Sequence, residues 1–201
     1  MLQTIFIIIS SLLALISPII YAKAIFGGEA KPHRTTRLIL LLITSLSTLS
    51  LFAQGNTVAI WLAGVSTLQS ILIFILSIKY GMGGWAKSDL ICLAIALAGI
   101  LLWKITDNPA LALYASITAD FTGMIPALIK TYKFPKTEVW TFYFLDVFAA
   151  LFSVLAIKNR TLQETSYPLY IMLINLFMVL LIVRPKKRPI KPIPQTKLRM
   201  W

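Results

Sequence analysis

The chain has 201 residues, 58% of them hydrophobic and only 13% charged, with 19 Lys plus Arg against 7 acids and a net charge of +12. Soluble domains are about 45–50% apolar and about 25% charged, so the composition argues against a water-soluble globule. The single Cys92 rules out an internal disulfide, and together with the single His33 it removes Cys-rich and HExxH metal chemistry; neither a metal nor another cofactor is expected.

Seven apolar blocks follow one another at about 2–22, 37–54, 57–79, 87–106, 109–131, 138–157 and 167–183. At roughly 20 residues per crossing they use about 140 residues and leave no room for a sizeable soluble domain. The first block has no Lys or Arg before it, so it lacks the charged start of a secretory signal and reads as a retained first helix. Gln54-Gly55-Asn56 reads as a tight turn, and Gly81-Met82-Gly83-Gly84 ends the third block. Asn108-Pro109 and Tyr167-Pro168 place proline at a first helical position, where its missing N–H costs nothing. The expected class is an all-α polytopic membrane protein with seven transmembrane helices.

Charge placement gives the orientation. With alternating connectors, one side receives 16 of the 19 basic residues, from Lys23, Lys31, Arg34 and Arg37 through to the tail. The other side keeps Lys104, Lys158 and Arg160. Short basic loops stay cytoplasmic, which predicts an outside N-terminus, a cytoplasmic C-terminus and a plasma or inner membrane location.

An internal repeat organises the blocks. Ser17-Pro18-Ile19-Ile20-Tyr21-Ala22-Lys23 is echoed by Ile125-Pro126-Ala127-Leu128-Ile129-Lys130-Thr131, and each copy continues through a Pro and Lys connector. The second helix of each copy closes at an Asn turn, Asn56-Thr57 against Asn159-Arg160-Thr161. The predicted division is a first three-helix unit over 1–79, a linker helix over 80–108, a second unit over 109–183 and a basic tail over 184–201. The extra linker crossing makes the two bundles parallel, related by an axis along the membrane normal, a plan that in transporters puts the substrate at mid-membrane.

This three-plus-one-plus-three order, with prolines near the inner ends of the first and fifth helices, resembles the SWEET and PQ-loop superfamily over about residues 1–183. The glutamine that follows the proline in PQ-loop proteins is Ile19 in one copy and Ala127 in the other. The resemblance implies alternating access, with a sugar or an amino acid as substrate and proton coupling in some members.

Depth arithmetic then selects polar residues. At about 1.5 Å per residue, Asp120 lies roughly 16 Å beyond Pro109 in a core about 30 Å thick. Gln69, Asp146 and Asn175 fall near the same depth, with Ser116 and Tyr143 on the helix faces of Asp120 and Asp146. An acid at a helix centre costs about 2.5–3.5 kcal/mol. Such acids are either protonated and bonded to Gln69, Asn175 or Tyr143 as structural glue, or ionised and able to meet a proton or a cationic substrate. Together these six residues are the candidate substrate or proton pathway. Pro18 and Pro126 free carbonyls one turn back and are candidate hinges or gates. The Ser and Thr run Thr44-Ser45-Leu46-Ser47-Thr48 reads as close helix packing.

The tail carries Arg184, Lys186, Lys187 and Arg188 among four prolines and no apolar periodicity. It is expected to lie extended on an anionic inner leaflet, each basic residue adding about 1 kcal/mol. It lacks the folded basic domain that nucleic-acid binding would need. Three functions compete: a small-solute transporter, a non-transporting receptor or assembly protein of the same fold, and a membrane enzyme. The enzyme has only His33 with Glu29, both in a loop, so no enzyme is expected. A homo-oligomer is compatible with this plan.

Overall fold

The computed structural model describes residues 1–30, 32, 34–81, 87–133, 135–159 and 161–184. Among them are seven α-helices: α1 (Leu2–Phe26), α2 (Arg34–Ala53), α3 (Ala59–Tyr80), α4 (Lys87–Thr106), α5 (Pro109–Lys133), α6 (Trp140–Ala156) and α7 (Leu162–Val183), with a 3-10 turn at Pro135–Thr137. The described residues contain no strand.

Local chemistry explains the boundaries. Between α2 and α3, Gly55 takes φ +66°, and the Asn56 Oδ1 accepts from the amides of Val58 and Ala59 at 3.0 and 2.7 Å, satisfying donors that a helix start leaves free. Asn108 does the same for Ala110 at 3.0 Å, with Pro109 as the first residue of α5. One expected boundary is displaced. Helix α7 begins at Leu162 rather than at Pro168, because the Thr161 hydroxyl accepts from the Glu164 amide at 3.3 Å. That Thr-x-x-Glu pattern is half of a capping box, and it leaves Pro168 buried inside the helix.

Among the described residues three helices, Leu2–Phe26, Ala59–Tyr80 and Leu162–Val183, are long and apolar enough to cross a membrane, where the sequence suggested seven. Helix α6 has only 17 residues, about 25 Å of helix.

Packing is inside-out relative to a soluble protein. The helix contacts bury small residues such as Ala14, Ala63, Ala112, Ala119, Ala149 and Ala150, while Leu12, Ile75, Phe121, Phe148 and Phe177 point outward. In water such an apolar exterior would be an aggregation surface; against lipid it is ordinary, and small residues are what let membrane helices approach. Gly99 of α4 shows the principle, since a Cβ there would lie 2.4 Å from the Cβ of Ala115 on α5.

Helix neighbours define a ring. Helix α1 packs on α3 and α6, α2 on α3 and α5, and α7 on α5 and α6, so six helices close in the order α1, α3, α2, α5, α7, α6. Helices α3 and α7 also touch, as do α3 and α6, and α4 lies outside against α5 and α2. Exchanging α1 with α5, α2 with α6 and α3 with α7 maps the ring onto itself.

Candidate functional site

Helix α6 turns a continuous polar and small-residue stripe inward: Tyr143, Asp146, Ala150 and Ser153 are all buried, at the i, i+3, i+7 and i+10 spacing of one helix face. At its centre Asp146 ties three helices together. Ser17 of α1 donates to its Oδ1 at 2.6 Å, and Gln69 of α3 donates through Nε2 to its Oδ2 at 3.2 Å.

Ser17 is placed by its neighbour. Pro18 has no N–H, so the carbonyl of Ala14 loses its helical donor, and the Ser17 hydroxyl lies 3.3 Å from that oxygen. A hydroxyl has one proton to give. When Asp146 is ionised, Ser17 donates to it; when Asp146 is protonated, Asp146 can donate to Ser17 and free the Ser17 proton for Ala14.

Asp120 has a different environment. Its Oδ2 accepts a short hydrogen bond from the Tyr170 hydroxyl of α7. Beside it is a small, largely apolar recess lined by Ile43, Ser47, Ser116, Ile117, Tyr167 and Ile171 among others, with room for at most about one water molecule. Ser47 and Ser116 share a hydrogen bond of 2.7 Å between α2 and α5. Tyr167 is 2% exposed, and its hydroxyl interacts with the Ser66 side chain of α3. Both carboxylates act on it electrostatically.

A third cluster closes one end of the ring. Helices α1 and α2 are separated by α3, and Arg37 of α2 spans the gap by donating to the Tyr21 hydroxyl at 3.0 Å, with its guanidinium 5.1 Å from the ring centroid. Tyr143 donates to Glu138 at 3.1 Å. The Arg37 charge reaches Tyr143, Glu138 and Asp120. Sequence reasoning counted Arg37 as a connector charge, because it opens an apolar block; its place one turn inside α2 corrects this.

The other expected site residues divide. Asn175 is buried, but its Nδ2 donates at 2.8 Å to Ile171 of its own helix, so it bonds neither acid. Tyr143 bonds Glu138 rather than an acid of the pathway, Ser116 faces the Asp120 recess, and Gln69 belongs to Asp146. The expected four-residue site therefore resolves into separate clusters around Asp146 and Asp120. Pro18 is buried within α1, while the side chain of Pro126 lies outside those described. Arg184 stacks 3.8 Å over the ring of Tyr132 and donates to the Tyr132 carbonyl, tying α7 to α5; Lys186, Lys187 and Arg188 lie outside the described residues, as does His33.

The Ser and Thr run of α2 is engaged in packing. Thr44 and Ser45 donate to Leu41, Ser47 to Ile43 and Thr48 to Thr44, and Thr48 meets Thr67 of α3 at 2.9 Å. Among the described residues no three His, Cys, Asp or Glu side chains converge as metal ligands. No protein-family model, curated protein or solved structure matches the chain.

Sequence reasoning passed over Ser17, Tyr167 and Tyr170 as well as Arg37. For Ser17 the signal was available, since it precedes the proline already singled out. Tyr167 and Tyr170 are one turn apart on α7, and with the helix start placed at Pro168 they were split between a connector and a helix.

Proposed function

We propose that the chain is a small-solute transporter of the SWEET/PQ-loop type, working by alternating access between a unit of α1–α3 and a unit of α5–α7, with α4 as the linker. The observation that carries this reading is the position of the two acids, Asp146 buried and Asp120 half-buried. Both belong to the second unit, and both meet the first: Asp146 through Ser17 and Gln69, Asp120 through the recess it shares with Thr44 and Ser47. Rocking of one unit against the other acts directly on these contacts.

Three further features support it. The ring of helix contacts is unchanged when the units are exchanged, as expected for parallel repeats. Intramembrane acids mark ion and substrate pathways. All seven helices as crossings give 16 of the 19 basic residues to one side, hence a cytoplasmic C-terminus and a tail resting on the anionic inner leaflet of the cell membrane.

In this mechanism the solute, a sugar, an amino acid or a small cation, binds between the units near mid-membrane. Proton uptake at Asp146 moves the Ser17 hydrogen bond onto Ala14 and stiffens α1 at Pro18. Loss of that proton draws Ser17 back to the carboxylate and loosens the same turn. Arg37 and Tyr21 form a gate at the inner end, opened as α1 and α2 separate.

A receptor or assembly protein of the same fold is the second reading. It is favoured by the tight closure of the centre, where the recess at Asp120 admits only a water-sized guest. Uptake of amino acids, sugars and cations into proteoliposomes, with and without a pH gradient, separates the two. Accumulation of at least one solute is expected, and no accumulation above protein-free vesicles across the panel would favour the receptor.

A further inference from the structure

One end of the helix ring, where α1 ends and α2 and α6 begin, is closed by a layer that crosses from one unit to the other. The buried ring of Tyr21 on α1 lies 4.8 Å from that of Phe142 on α6, and Phe142 meets Tyr143 edge to face at 4.8 Å. Ile73 of α3 and Met178 of α7 are fully buried in the same cluster. Tyr21 comes one turn after Ser17, and Tyr143 one turn before Asp146. The layer therefore covers the Ser17 and Asp146 contact on this side.

Arg37 fastens this layer to α2. Helices α1 and α2 are separated by α3 in the ring, and the Arg37 guanidinium crosses that gap to the Tyr21 hydroxyl at 3.0 Å while lying 5.1 Å from the centre of its ring. Its charge also acts on Tyr143 and Glu138 of the second unit, which are bonded to each other at 3.1 Å. Tyr21 is thus held twice: its ring rests on the second unit, and its hydroxyl accepts from a cation of the first.

A guanidinium in this position has a second place to go. Arg37 is three residues beyond Arg34, the exposed first residue of α2, hence about 4.5 Å from the helix start. From there an arginine reaches the headgroups by turning its long side chain along the helix. Inward it gains a phenol and a ring, and outward it gains water and lipid phosphate. Between the two it would be an uncompensated charge in a poor dielectric, which favours either end over the middle. We infer that Arg37 is a swinging latch: turned onto Tyr21 it keeps that ring against Phe142 and the two units shut at this end, and turned out to the headgroups it frees α1 from α2 and opens the layer over Ser17 and Asp146. The latch deepens the inner gate of the transporter reading and rests on it for a role in transport; the closure itself does not.

Thiol labelling of the full chain tests this. Ile73→Cys, in a Cys92→Ser background, is exposed to a membrane-impermeant maleimide in right-side-out and inside-out vesicles. Lys136→Cys, on the exposed turn before α6, marks the preparation that presents the latch end. With the latch intact Ile73→Cys should react slowly there. Tyr21→Phe, which removes only the hydroxyl, and Arg37→Gln should each raise that rate at least about tenfold; Tyr21→Phe carries the test if Arg37→Gln does not fold. Lys79→Gln removes a cation from the exposed ring of Tyr80, 5.2 Å away at the same end, and should leave the rate unchanged. Fast reaction with the latch intact, no acceleration in Tyr21→Phe, or equal acceleration in Lys79→Gln would overturn the latch. Solute uptake with unchanged reactivity would remove the latch and leave the transporter reading standing, whereas acceleration without uptake of any solute would keep the latch as a closure in a receptor of the same fold.

Discussion

Asp146 and Asp120 both lie among the packed helices, but Asp146 has a donor on each oxygen and the half-buried Asp120 borders a small recess. Each Asp146 oxygen has a donor, Ser17 on one and Gln69 on the other. Asp120 accepts from one tyrosine and borders a small recess. The difference separates two uses of an intramembrane acid. A carboxylate with a donor on each oxygen joins helices whatever else it does, and one held by a single tyrosine contributes less to that joining.

The contrast predicts opposite rankings for stability and for activity. Asp146→Ala should have the largest effect on folding. It leaves Gln69 without its acceptor and returns Ser17 to the weak contact with Ala14, costing about 2–3 kcal/mol, read as a fall in melting temperature of the detergent-solubilised protein. An equal loss from Asp120→Ala would erase the distinction between the two sites. Ser17→Ala removes one donor to Asp146 and should cost about 1 kcal/mol. If Asp146 drives the hinge at Pro18, this variant also changes protease or hydrogen-exchange protection around Ala14, and unchanged exchange there would break that link.

Smaller effects sharpen the other side. Asp120→Asn keeps an acceptor for Tyr170 and should alter stability by less than about 1 kcal/mol, so that any loss of activity is chemical rather than structural. Asn175→Leu should be close to neutral in activity, because Asn175 donates to its own helix. A marked fall in transport in that variant would instead restore a single site that includes Asn175.

Much of this architecture was legible in the chain. The seven blocks became seven helices, with Gly55-Asn56 and Asn108-Pro109 closing and opening them as their chemistry requires. The start of α7 was misplaced because proline is a strong local signal and the Thr161-x-x-Glu164 cap a quieter one. The two acids were found by depth, but depth is a single coordinate. It fixes height along the membrane normal and says nothing of position around the ring, which depends on the neighbours of each helix. Thus Asp146 and Asn175 were assigned one site, whereas α6 turns its acid towards α1 and α3 and Asn175 bonds within α7. Arg37 escaped notice for a related reason: a charge at the edge of an apolar block reads as a connector until the helix is seen to begin a turn earlier, at Arg34.

The most direct measurement is solute uptake by proteoliposomes containing the wild-type chain, Asp120→Asn or Asn175→Leu, across a panel of amino acids, sugars and cations. The account predicts accumulation of at least one solute by the wild type, at least a tenfold lower rate in Asp120→Asn, and a near-normal rate in Asn175→Leu. Uptake of that solute at the wild-type rate by Asp120→Asn would contradict it.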